Sequence, residues 1–119
     1  MTQEDKMLLI KDLCARLPYN PLVEYKGESY NVLGIAHGRL VLCKPFMSYT
    51  LKENPLVEEV KTYLFPLSSM TEEQKEEWRG IRWSKLPWDE LNWLNKGHWD
   101  YRHLIEKGLA IDATGLNIY

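Results

Sequence analysis

Apolar residues at Met7, Ile10, Leu13, Cys14 and Leu17 recur at helical intervals opposite Lys6, Lys11, Asp12 and Arg16. That pattern predicts an amphipathic helix over residues 1–17. Thr2, with Asp5 three positions on, is the expected N-cap, and Pro18 ends the run. From residue 22 the period shortens to two, predicting strands over 22–26, 29–36, 39–43, 46–51 and 61–65. Gly27-Glu28 and His37-Gly38 supply tight turns, because glycine reaches positive φ without a Cβ clash. Gly34 interrupts its strand as a bulge or bend would, and residues 57–60 fit a single helical turn.

Helical signals return in the second half. Thr71 and Gln74 form a capping box in front of a solvated helix over 72–79 that carries Glu72, Glu73, Glu76 and Glu77, with Gly80 as its turn. Pro87 suits the first turn of a helix ending at Asn95, with Gly97 as its stop. Asp100 is placed to cap a last helix that turns Leu104 and Ile105 inward and ends at Gly108. Residues 109–119 read as an extended tail with Leu109, Ile111, Leu116 and Ile118 free to pack. The expected fold is therefore α+β in one domain, 1–119: an N-terminal helix (1–17), a small antiparallel five-stranded SH3-like barrel or coiled sheet (22–65), short C-terminal helices (71–108) and a tail (109–119).

All five tryptophans, Trp78, Trp83, Trp88, Trp93 and Trp99, fall within this second half at nearly even spacing. Five residues advance about 140° around an α-helix, so the rings cannot form one stripe and must be shared among short elements. Trp78, Trp88 and Trp93 are expected in packing between helices and sheet. Trp99, Tyr101 and Arg102, at a loop-to-helix junction, are expected to stay partly exposed and to hold a protein partner, being residue types that dominate binding hot spots.

Charge and composition narrow the classes. With 15 basic and 17 acidic side chains the chain has no global field for phosphate or anionic lipid. Arg79, Arg82, Trp83 and Lys85 still interleave cations with aromatics and form the local nucleic-acid alternative, though the same residues suit lysine and arginine stems lying over tryptophan faces. His98, Asp100 and His103 are the one cluster of metal-type ligands, in a spacing unlike the established zinc patterns; a small metal-dependent hydrolase is the third reading. No glycine-rich phosphate loop is present, and Ser68, Ser69, Cys14 and Cys43 lack the local setting of an activated nucleophile. No cofactor and no enzymatic activity are expected. Cys14 and Cys43 read as buried reduced thiols. The first residues are polar and acidic, and no run approaches the roughly 20 apolar residues of a membrane span, so a cytoplasmic protein without membrane association is expected.

Several strings carry a wider likeness: residues 11–19 (KDLCARLPY), 57–64 (VEEVKTYL), 66–73 (PLSSMTEE), 93–95 (WLN), 100–102 (DYR) and 108–112 (GLAID). In these the chain resembles, nearly end to end, a family of small uncharacterised proteins of gut Bacteroides and their prophages or mobile elements. The resemblance implies an accessory protein of bacterial or phage origin and transfers no catalytic residue.

Overall fold

The structure, a computed structural model, describes residues 1–45, 50–83 and 86–119. Among these residues three α-helices and five strands follow in the order α1 (Gln3–Arg16), β1 (Leu22–Tyr25), β2 (Glu28–Ala36), β3 (Arg39–Cys43), β4 (Lys61–Leu64), α2 (Glu72–Trp83), α3 (Pro87–Lys96) and β5 (Ala110–Asp112). The strands form one sheet in the order β3-β2-β1-β4-β5. It is open, with β3 and β5 at its edges, rather than a closed SH3-like barrel. The strand expected over 46–51 lies largely outside the described residues; beside them Thr50 bridges Cys43.

The two leading hairpins follow from their turns. Lys26 and Gly27 lie at φ 50° and 79°, His37 and Gly38 at 54° and 74°, the paired positive values that match the twist of a two-residue hairpin. His37 is thus a turn residue. Between β2 and β3, Val32 pairs with Leu42 and Gly34 with Val41, which leaves Leu33 as the extra, exposed residue of the bulge expected at Gly34.

The fifth strand comes from the tail. β5 pairs parallel with β4, joining Thr62 to Ala110 and Leu64 to Asp112, so α2 and α3 lie within the long crossover that a parallel pair requires. The expected helix after Asp100 does not form: residues 101–108 are turns. The Asp100 carboxylate accepts the Leu104 N–H at 2.8 Å on one oxygen and the Ile105 N–H at 3.0 Å on the other, while His103 takes φ 58°. With both oxygens and a left-handed residue committed to this loop, no helical turn can start.

Helix α1 is capped as expected, Thr2 Oγ1 accepting the Asp5 N–H at 3.0 Å, but it is rotated from its apolar stripe. Leu9, Asp12, Leu13 and Arg16 face inward, whereas Met7 is 58% exposed and Cys14, expected buried, is also exposed. The rotation buries an ion pair. Arg16 Nε donates to Asp12 Oδ2 at 2.9 Å, and its Nη2 donates to Asp12 Oδ1 at 3.1 Å and to the Trp99 carbonyl at 2.7 Å. Arg102 Nε donates to the same Asp12 Oδ1 at 3.1 Å. Leu9 and Leu13 join Val32, Leu40, Leu42, Leu64 and Leu104 in the main core.

One carboxylate thus faces two guanidiniums, and both side chains of the helical pair are fully buried. Removing one partner of such a pair strands a buried charge, which costs about 3–5 kcal/mol. Asp12→Ala is expected to lower unfolding stability by about that amount, and Arg102→Ala, which leaves the Asp12–Arg16 pair intact, by roughly 1–2 kcal/mol. Urea titrations measure both; a loss below about 1 kcal/mol for Asp12→Ala would show that the pair does not anchor the helix.

Candidate functional site

The tryptophans divide by their distance from this anchor. β4 runs on into Phe65, whose N–H donates to the His98 carbonyl and whose carbonyl accepts from the Asp100 N–H, both at 2.8 Å. Trp99 is thereby set beside Phe65, 5.7 Å between ring centroids, and joins Met70 and Leu94 in a second core at only 6% exposure. Its expected exposure is therefore overturned. Tyr101 and Arg102 are half-buried and turned into the anchor: the Tyr101 O–H donates to Asn95 Oδ1 at 2.8 Å and accepts from Arg102 Nη2 at 3.2 Å. The Arg16 and Arg102 guanidiniums lie over the Tyr101 ring, 5.1 and 4.8 Å from its centroid. These three residues hold the fold.

Exposed apolar surface lies instead at the far end of a helical hairpin. Helix α2 opens on the expected reciprocal cap, Thr71 N–H to Gln74 Oε1 and Gln74 N–H to Thr71 Oγ1, and continues through Gly80 to Trp83. Pro87 opens α3. Two indole–carboxylate bonds in opposite directions join the helices: Trp78 Nε1 donates to Glu90 at 3.1 Å, and Trp93 Nε1 to Glu77 at 3.0 Å. Pairing 78 with 90 and 77 with 93 makes the helices antiparallel. Helix α2 has no buried residue, and α3 only Leu94 and Asn95 near its end, so the hairpin leads away from the cores. At its tip Trp83 is 83%, Trp88 75%, Leu86 57% and Leu91 39% exposed.

The two indoles alone offer on the order of 300–400 Å² of contact area, which with the leucines reaches the size of patches that mark interaction sites. Trp88 and Leu91 were expected on the inward face of α3, which their exposure overturns, and Trp83 only as a base-stacking residue; Leu86 carried no expectation. The signal available was position: Trp83 falls at the end of one solvated helix and Trp88 at the start of the next, the parts of the pair furthest from its base.

The two arginines of the nucleic-acid alternative are engaged locally. Arg79 pairs with Glu76, and Arg82 pairs with Glu90 at 3.5 Å while lying over the Trp78 ring. Lys85 lies outside the described residues.

The possible metal ligands diverge. Asp100 is spent on its loop, His103 is exposed with Nδ1 3.7 Å from Glu106, and His98 is buried with its ring stacked on Tyr119, 3.6 Å between centroids. Among the described residues no group of three His, Cys, Asp or Glu side chains is placed to hold a metal ion. The Tyr119 hydroxyl accepts from the Leu22 N–H at 2.9 Å and donates to the Tyr63 carbonyl at 2.8 Å, and burial pushes it up to about 12. Among the described residues, no helix is long and apolar enough to cross a membrane.

Burial, and secondarily the Arg16 charge, pushes the His98 imidazole down to about 4. An unfolded chain takes up this proton near pH 6.5 and the folded one only near pH 4, so stability is lost as pH falls through that window, by on the order of 2–3 kcal/mol. His98→Asn, which tolerates the left-handed backbone at φ 59°, is expected to flatten that slope. Urea midpoints measured from about pH 7 to 4 test this, and parallel pH profiles for the two proteins would refute it.

Comparison with protein-family models, with curated proteins and with solved structures finds no match, and the functional reading rests on the surface itself.

Proposed function

We propose that this chain is a non-enzymatic interaction module that anchors a protein partner through the tip of its helical hairpin, in keeping with the bacterial or phage accessory role implied by its resemblance. The carrying observation is the exposure of Trp83 and Trp88, at 83% and 75%, beside two arginines that are already paired with glutamates. The two indoles stand out into solvent, so their complement is a concave apolar pocket on another protein. Because the neighbouring arginines are neutralised by Glu76 and Glu90, recognition is apolar and only weakly sensitive to salt. At about 25 cal/mol per Å², burying roughly 400 Å² contributes about 10 kcal/mol before the cost of association, enough for an anchor within a larger interface.

The second reading, a nucleic-acid accessory, draws on the exposed Trp83 ring as a stacking platform. The two readings differ in salt dependence, which is steep where phosphates are neutralised.

The test is cross-linking in host extract followed by reconstitution from purified components, with Trp83→Ser and Trp88→Ser variants. Each substitution is expected to weaken the reconstituted complex by about 10- to 100-fold while changing stability by no more than about 0.5 kcal/mol, since neither ring is in a core. Retention of the same partner at full affinity by the double variant would refute the tip as the anchor. Sedimentation that shows concentration-dependent self-association abolished by these substitutions would replace the foreign partner with a second copy.

A further inference from the structure

A cleft of about 580 Å³ lies at the base of the hairpin, remote from its tip, between the start of α2, the end of α3 and the segment after β5. Its floor is aromatic: Trp93 and Trp99 stack at 6.1 Å with 14° between their planes, and Phe65 is tilted against Trp99. The volume is within the usual range for small-molecule sites.

The polar groups facing the cleft are unevenly committed. Glu77 accepts the Trp93 N–H on Oε1, which fixes its carboxylate at the rim and leaves Oε2 free to accept. Gln74 accepts the Thr71 N–H on its oxygen, so its amide NH₂ remains to donate. Lys96, exposed on the last turn of α3, lines the same cleft and makes no ion pair among the described residues. Trp99, only 6% exposed, lines the cleft, and its indole N–H makes no hydrogen bond among the described residues. A bound acceptor can meet this donor in place of water without displacing a partner from the protein.

The cleft thus offers one carboxylate oxygen, one ammonium, two neutral donors and an aromatic lining. We propose that it binds a free aromatic α-amino acid: the ring against Trp93 and Trp99, the carboxylate at Lys96 and the Trp99 N–H, and the ammonium at Glu77. A ligand with only one charge would leave Lys96 or Glu77 opposed to nothing, whereas the zwitterion meets both. This site lies apart from the hairpin tip and shares with it only the Trp93–Glu77 brace.

Isothermal titration with L-tryptophan, tryptamine and indole-3-propionate separates the contributions, because the two analogues lack the carboxylate and the ammonium respectively. L-Tryptophan is expected to bind at least about tenfold more tightly than either, the usual effect of one lost charged hydrogen bond. Lys96→Gln is expected to shrink the preference over tryptamine to what the Trp99 N–H alone sustains, and Glu77→Gln to abolish the preference over indole-3-propionate. Both side chains are at the surface, and unchanged thermal midpoints verify that the variants fold. Trp88→Ser is expected to bind L-tryptophan like the parent, which keeps this site separate from the tip. No heat with L-tryptophan at millimolar concentration, equal affinity for all three compounds, or preferences unmoved by either substitution would each overturn the assignment.

Discussion

The buried pair of Asp12 and Arg16 is the constraint on which the remainder of the molecule depends. Taking two charges out of water is unfavourable unless geometry and further hydrogen bonds compensate. Here Arg16 makes a bidentate contact with Asp12, spends another bond on the Trp99 carbonyl and lies over the Tyr101 ring. Arg16 Nη1 nevertheless has no partner among the described residues, so the arrangement is not a fully satisfied network. Its value is positional. It sets the rotation of α1 and draws residues 99–102 onto that helix, and the same loop carries the main-chain bonds that extend β4 past Phe65.

This constraint also explains what could and could not be read along the chain. Local chemistry was legible: the turn at His37-Gly38, the bulge at Gly34, the Thr71–Gln74 cap and the start of α3 at Pro87 each depend on residues within a few positions of one another. The inward face of α1 was not, because periodicity treats Asp12 and Arg16 as surface charges. Their partner Arg102 is 90 residues away from Asp12, and nothing within the helix announces it. Asp100 misled for a related reason. Its residue type suits a helix cap, but both its oxygens close a loop whose route is set by the tertiary contacts of Trp99 and Leu104.

The tryptophan segment shows how one residue type takes opposite roles according to distance from that anchor. Trp99 is bracketed by backbone bonds to Phe65 and is buried. Trp78 and Trp93, one step outward, are half-buried, and each satisfies its N–H with a glutamate of the facing helix. Trp83 and Trp88 lie beyond the last such pairing and have only the tip to share. Gly97 fits the same gradient. Its φ is −85°, which any residue adopts, but a Cβ there would come within 2.4 Å of Trp99 Nε1. The glycine is required for the close approach of that indole, and the left-handed turn that ends α3 falls on His98 instead.

A hairpin that exposes two indoles is useful for binding only if it holds its shape without a partner. Association already costs the freedom of two molecules, and a floppy arm would add the cost of ordering its own residues. The crossed bonds from Trp78 to Glu90 and from Trp93 to Glu77 meet that need with groups half-exposed or near the surface. Each glutamate oxygen is fixed by an indole N–H rather than by a mobile lysine, so less side-chain entropy is lost in making the contact. Trp93 then serves two surfaces at once: its N–H braces the helices that support the tip, and its ring floors the cleft at their base. A change at Trp93 therefore acts on both, whereas Trp88 at the tip and Lys96 at the rim of the cleft act on one each.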